Sequence, residues 1–333
     1  MTQERNFLDE ITANPEYRMA RLVYADWLDE KGDARGELIR IEEEMFSVPI
    51  WADRYWQLKP RRNELRAQCT KKWLDWMNYG NHYEPVFREV PIGWNERWRL
   101  LREFCERWHG VPMPDLGGQA DAIAAIEKDH NVVLASSFRE WIAFARDLQA
   151  RNSFGKVMRD GFVVEDLTEA AGDRALTLML QTEGDVYWAV FKRNLNEVDP
   201  PVAMYVFNDD DFDDRPFILA RNAESSLMSF VFGHMMAYLH GAGGGFSTRV
   251  NDIDSLRLRL STAFPVEARI GNFSIFERQD MIAVLGADHF SDQVRLHVEL
   301  SKPLPREDVP AFLWEYTRNG GSFHGMFAPD PIR

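Results

Sequence analysis

Cysteine is nearly missing: the 333-residue chain has two, Cys69 and Cys105. Two thiols build neither a disulfide framework nor a cysteine-based zinc site, so a reducing interior is the simplest compartment. Basic charge is in deficit, with 39 Lys and Arg against 53 Asp and Glu and a formal net charge of −14. That balance argues against nucleic acid or an anionic membrane as the main partner, because both favour a positive face. A basic partner is electrostatically easier. Long hydrophobic runs are also lacking. The most apolar stretch, residues 227–239, is 13 residues long and contains His234; it is too short to span a bilayer and reads as a buried helix. The N-terminus, MTQERNFLDE, has no apolar signal core. The expected protein is therefore cytoplasmic, with no membrane partner.

Recognisable catalytic constellations are lacking as well. There is no Gly-x-Ser-x-Gly, no phosphate-binding Gly-Lys-Ser or Gly-Lys-Thr, no Gly-x-Gly-x-x-Gly and no His-Glu-x-x-His. His234 and His240 lie six apart on the expected helix and point to different faces. His289 and Asp292 are two ligands of mixed type, which is weak for a metal. Cys105 and His109 are one helical turn apart, the spacing of a nucleophile pair, but a core cysteine beside a partly buried histidine explains them as well. The glycine-rich stretch 241–245 lacks the preceding strand and following basic residue of an anion-cradling loop, and reads as a hinge. The expectation is a non-enzyme with no cofactor and no metal.

What is present is ordinary globular material, 45% hydrophobic and 28% charged, enough for about two domains. Aromatics are plentiful, with 11 Trp and 22 Phe, and favour packed cores or interfaces. Near the N-terminus, Asn14-Pro15 reads as a helix start. Met19, Leu22, Val23, Trp27 and Leu28 follow as one apolar stripe. Gly32 reads as the stop, and Asp33 as the cap of a second helix with Leu38, Ile41 and Met45 inside. Phe7, Leu8 and Ile11 sit on a turn before this pair. Asp26 falls within the stripe, either as a ligand or proton-handling carboxylate or as a partner of Arg21 or Arg40.

Four features mark this segment: Phe7-Leu8, the run RLVYADWL from Arg21 to Leu28, Glu30-Lys31-Gly32-Asp33, and Glu37-Leu38-Ile39-Arg40. Together they resemble the planctomycete repeat-companion domain, over residues 1–45. That family carries no assigned chemistry and occurs as an N-terminal appendage, so the resemblance implies a modular build.

Charge is unevenly distributed. Residues 1–50 carry six basic and 12 acidic groups, whereas residues 51–110 carry 12 and eight. Residues 46–94 read as a helical connector and linker, with Arg61, Arg62, Arg66, Lys71 and Lys72 between Trp56, Leu65, Trp73 and Met77. Basic residues interleaved with aromatics suit single-stranded nucleic acid. The same pattern at helical spacing is also a solvated face over a core, and with the negative net charge no nucleic-acid partner is expected.

Residues 95–245 open with helices, the last starting near Ser137 and Glu140, which are spaced as a capping box. Short strand-like runs follow at 162–164, 176–180, 186–191 and 202–207, then a helix capped by Ser225 or Ser226. This order predicts an α+β fold: an N-terminal helical module, then a mixed or antiparallel sheet with helices mainly on one face. The domain resembles the SUKH superfamily, bacterial immunity proteins related to yeast cell-wall-synthesis regulators. The features that carry it are Ile123, Ile126 and Glu127, the step Val132-Val133-Leu134, and Phe138 with Trp141-Ile142. Also shared are the run from Gly184 to Trp188, Val206 to Asp210, and Ala223-Glu224-Ser225 with Phe230. Leu134-Ala135 stands where the family has Leu-Pro, and Arg151-Asn152-Ser153 where it has Asn-Gly.

Residues 246–333 read as an extension of the same sheet or a small lobe. Leu256, Leu258 and Leu260 alternate, as do Val294, Leu296, Val298 and Leu300; residues 273–285 suggest a hairpin, and 306–318 a helix.

The sharpest polar feature is Asp209, Asp210, Asp211, Phe212, Asp213 and Asp214, with five carboxylates in six positions. Three readings are open: a solvated turn, a hard-cation loop, or a docking site for a basic protein. The SUKH resemblance implies the third, with neutralisation of a basic toxin domain such as a nuclease, Phe212 as aromatic anchor, and Tyr187 or Trp188 assisting. The function expected is thus non-catalytic protein binding. The alternatives are an intracellular regulatory scaffold, and a metal-dependent hydrolase using the aspartates.

Overall fold

The structure, a computed structural model, describes residues 3–14, 17–77, 85–113, 120–158, 162–163, 169–170, 175–181, 186–206, 218–237, 239, 244–287, 293–302 and 304–317. The chain forms two compact units, Met1–Glu89 and Val90–Arg333. The fold is α+β, with helices leading and antiparallel sheets following. No helix among the described residues is long and apolar enough to cross a membrane.

The first unit is helical: α1 (Gln3–Ala13), α2 (Arg18–Asp29), α3 (Arg35–Ser47), α4 (Asp53–Gln68) and α5 (Lys71–Met77). The residues expected on a single turn, Phe7, Leu8 and Ile11, belong to the full helix α1. The helix expected from Asn14 begins at Arg18 instead. Asn14 closes α1, its N–H donating to the Glu10 carbonyl, and its own carbonyl accepts from Tyr17 in a turn. Gly32 adopts a left-handed φ of 68° after α2, as its role as a stop requires. Asp33 Oδ1 accepts from the first amide of α3, Arg35 N, at 3.0 Å.

The buried face of α2 is not the one its apolar stripe predicts. Ala20, Arg21, Tyr24, Ala25 and Leu28 point inward, while Met19 and Val23 are exposed. Two physical causes turn the helix. Small residues let α2 and α3 approach closely: a Cβ on Gly36 would collide with the Ala25 carbonyl and the Asp29 carboxylate. The Tyr24 hydroxyl also needs partners inside, donating to Glu4 Oε1 at 2.8 Å and accepting from Trp73 Nε1 at 3.2 Å. Phe7 stacks on Tyr24, with ring centroids 5.4 Å apart.

The acidic and basic segments meet across α3 and α4. Glu37 pairs with Arg61 at 2.6 Å, Glu42 with Arg66 at 2.5 Å and Glu44 with Arg54 at 2.5 Å. Arginines that look like a basic island in sequence face the carboxylates of the neighbouring helix.

The second unit begins with α6 (Trp94–His109), α7 (Ala120–Asp129), α8 (Ser136–Ala150) and the short α9 (Phe154–Val157). Strands β1 (Phe162–Val163), β2 (Glu169–Ala170), β3 (Ala175–Gln181), β4 (Val186–Phe191), β5 (Val202–Val206) and β6 (Ile218–Glu224) form an antiparallel sheet in the order β1-β3-β4-β5-β6, with β2 also on β3. Next come α10 (Leu227–Ala237), β7 (Gly245–Arg249), α11 (Ile253–Ala263), β8 (Val266–Ile270), β9 (Phe273–Arg278), β10 (Met281–Ala287), β11 (Val294–Leu300) and α12 (Leu313–Thr317). Strands β7 to β11 make a separate antiparallel sheet, ordered β7-β11-β10-β9-β8.

Helix α10 is apolar all round, and both sheets explain why. Phe230 and His234 meet Trp188 of β4 at 5.9 and 5.0 Å between ring centroids. Phe232 meets Phe273 of β9 and Phe104 of α6 at 5.6 and 5.5 Å. The second sheet buries Phe276, Ala283, Leu285, Leu296 and Val298 against Leu256 and Leu260 of α11 and Leu313 of α12.

Three local expectations change here. The alternating leucines form α11, not a strand. The Asp252 side chain caps the helix by accepting from Ser255 N at 3.2 Å, so Leu256 and Leu260 go inward while Leu258 faces solvent. The helix expected over 306–318 is cut to a 3₁₀ turn, Arg306–Asp308, and the short α12. Pro310 between them cannot donate a helical hydrogen bond. Ser137 does not cap α8: it lies inside the helix, and its Oγ accepts from the buried Trp98 indole at 2.9 Å.

Candidate functional site

The acidic run Asp209, Asp210, Asp211, Phe212, Asp213 and Asp214 lies outside the described residues, in the connection between the paired strands β5 and β6. The two aromatics expected to assist it are not surface groups. Trp188 is fully buried under α10, and Tyr187 is buried on the opposite face of β4. There Tyr187 sits directly across from Tyr205 of β5, the rings stacked 4.7 Å apart and 4° from parallel. Burial pushes the Tyr187 phenol above its ordinary range, and the neighbouring Tyr205 adds to this. A neutral stacked pair of this kind stiffens the two strands at their centre.

A cleft of about 230 Å³ in the second unit lies where α6, α8 and α10 begin. Two of these starts are met by an acceptor. The Val198 carbonyl accepts from Ser137 N at 3.0 Å, near the first turn of α8. Asp199 Oδ1 accepts from Met228 N at 3.1 Å, in the first turn of α10. The Glu96 carboxylate folds back over Gly93, the residue that precedes α6. The first two contacts answer orphan amides of α8 and α10, and the Glu96 charge lies by the positive end of α6.

Arg97 also lines the cleft, its Nε donating to the Pro91 carbonyl at 2.8 Å. Ile92, 95% exposed, and Val198, 54% exposed, stand at the rim. One cation, one anion, the indoles of Trp94 and Trp98 and an apolar rim suit side-chain or small polar ligand capture. They assemble no nucleophile with a base.

Other charges of this unit are buried inside it. Glu277 of β9 has no solvent exposure and accepts from Trp108 Nε1 at 3.0 Å. Glu103 pairs with Arg107 at 2.6 Å, and the Arg102 guanidinium lies 5.5 Å from the Phe144 ring centre. Cys105 is buried one turn before His109, whose Nδ1 meets the Lys156 carbonyl at 3.1 Å. His240, His289 and Asp292 lie outside the described residues. No group of three or more His, Cys, Asp or Glu among the described residues is arranged to hold a metal ion.

In the first unit Asp26 pairs with Arg40, which also holds Asp29 at 2.7 Å. Asp26 stands outside the buried face, on the solvent side of α2. Arg97 and Asp199 escape a sequence reading because the loops that bring them together carry no periodic signal; Pro200-Pro201 marks only that β5 has not yet begun. Comparison of the chain with protein-family models, with curated proteins and with solved structures finds no significant match.

Proposed function

We infer that this is a non-catalytic, cytoplasmic protein-binding protein that neutralises a basic toxin domain, in the manner of a SUKH immunity protein. The observation that carries the reading is the concentration of negative charge in the second unit. Residues 90–333 hold 25 Lys and Arg against 36 Asp and Glu, and five of those carboxylates are clustered between β5 and β6. The run follows β5, whose Tyr205 stacks on Tyr187 of β4, and a stiff strand at its base lowers the cost of ordering it on binding. Toxin domains that engage phosphates carry positive surfaces, so a negative inhibitor accelerates encounter and occludes the catalytic face.

The test is co-purification with toxin domains encoded by neighbouring reading frames, together with co-expression for protection. A stable complex and rescued growth are the expected results. Failure to bind and to protect against all of them defeats the reading, and binding to several housekeeping proteins instead favours a regulatory scaffold. Calorimetric titration with calcium, magnesium and manganese addresses the hydrolase alternative, for which heat of binding is the required sign.

A further inference from the structure

Strand β8 ends the second sheet, with β9 on one side and no strand on the other among the described residues. Its hairpin with β9 turns on two residues, Gly271 and Asn272, and Gly271 takes the φ of 54° that such a tight turn needs. The turn closes on Ile270 and Phe273, which exchange both backbone hydrogen bonds, so the bonded pairs recur at Ala268–Ile275 and Val266–Glu277. Glu267 and Arg269 fall between them. Their N–H and C=O groups therefore point away from β9, along the edge of the sheet. Both side chains are exposed, and Pro265 stops one residue short of the strand, so no outward amide is lost to proline.

The charges beside this edge lack counter-charges. The Arg269 guanidinium makes no hydrogen bond or ion pair among the described residues. Arg257 of α11 reaches Ser274, the residue across from Arg269, its Nη2 donating to Ser274 Oγ at 3.3 Å. The Arg257 Nε is buried with no acceptor among the described residues. On the same face as Arg269, Glu267 accepts from the Ser261 hydroxyl at 2.6 Å, a contact that leaves its charge uncompensated. Like charges directly across a strand pair repel. Opposite signs on either side of Ala268 do the reverse: they are complementary to the same strand turned end for end.

We propose that the β8 edge is a homodimer interface, in which β8 of a second copy adds antiparallel about a two-fold axis at Ala268 and joins the two five-stranded sheets into one. The symmetry sets Glu267 of each chain opposite Arg269 of the other, and each such pair exchanges the outward backbone hydrogen bonds. Each Glu267 thereby meets an unpaired cation and adds negative charge beside the other chain's Arg257. On the other face Ala268 meets Ala268, too small to hold the strands apart. A five-residue strand is about 17 Å long. One such edge covers far less than the about 800 Å² per partner of a stable interface, so the dimer forms reversibly, at on the order of 100 micromolar. This dimer involves the second unit's sheet alone and does not depend on the toxin-binding reading.

Sedimentation velocity of the full chain, from micromolar to millimolar concentration, tests it. The sedimenting mass is expected to rise from 38.7 kDa towards twice that value. Glu267→Arg and Arg269→Glu should each leave a monomer with an unchanged far-UV circular dichroism spectrum and Tm, because like charges then face each other. Mixing the two variants should restore a dimer, since every contact across the axis is again between opposite signs. In a Cys69→Ser background, Ala268→Cys should give a reducible crosslinked dimer, the two Cα atoms lying about 4.5 Å apart. A monomer at every concentration overturns the proposal and leaves the edge to solvent or to an extended segment of another protein. So does a dimer that both single reversals leave intact, one that gives no crosslink through position 268, or a pair of monomeric variants whose mixture stays monomeric.

Discussion

Tyr24 shows how one residue organises a module. Its hydroxyl joins Glu4 of α1 and Trp73 of α5, and Arg35 closes the circuit by binding Glu4 at 2.9 Å and Asp33 at 2.6 Å. Burial pushes the Tyr24 phenol upward, outweighing the Trp73 hydrogen bond that lowers it. The Arg35 side chain holds the Asp33 carboxyl below the usual carboxylate range, against an opposing effect of burial. The sign of the pH dependence follows. A carboxylate with a depressed native pKa contributes stability fully above its unfolded value, about 3.9, and loses it as pH falls through the native one. Asp33→Asn should cost about 1 kcal/mol at pH 7 and flatten the loss of stability below about pH 4. Urea midpoints for both proteins from neutral to strongly acid pH read this directly, and parallel curves would contradict it. Asp199→Ala removes the acceptor for Met228 N and should cost about 1 kcal/mol, the usual worth of a helix-start hydrogen bond.

At the scale of elements, α11 decides between two periods. Leucines at 256, 258 and 260 fit an alternating strand, in which all three share a face. In the helix they do not: Leu256 and Leu260 are buried in the second sheet's core, whereas Leu258 is 71% exposed. Leu260→Ala should therefore cost about 2–5 kcal/mol, while Leu258→Asp should change stability by no more than about 0.5 kcal/mol. Equal losses in chemical denaturation would restore the strand. The α3–α4 ladder teaches a related point about charge. Its Glu–Arg pairs are mostly exposed and individually worth little, but they align two helices whose sequences look electrostatically opposite.

Over the whole molecule, the negative surplus governs encounter more than residence. On the function proposed above, replacing Asp209, Asp210, Asp211, Asp213 and Asp214 together by Asn should slow association with the proposed basic toxin domain about tenfold at low salt and reduce its salt dependence, with little change in dissociation. Stopped-flow mixing across an ionic-strength series measures both rates. A changed dissociation rate with unchanged association would move the contact away from that run.

The sequence by itself determined the class of fold, most helices, seven of the strands, and the N-terminal signals Gly32 and Asp33, because period, caps and breakers are local properties. Strands β1, β3, β4, β5 and β11 coincide with apolar runs and β9 and β10 with the expected hairpin, whereas β6, ILARNAE, mixes polar and apolar residues and is held by pairing with β5. Only tertiary structure decided which side of α2 faces inward, since its two apolar faces are equally readable and the choice rests on the Gly36 approach and the partners of Tyr24. It also decided that Trp98 takes Ser137 from its capping role, and that Arg97 and Asp199 share a cleft. Burial and hydrogen-bond satisfaction depend on residues far apart in the chain, and no local pattern records which distant partner will complete them.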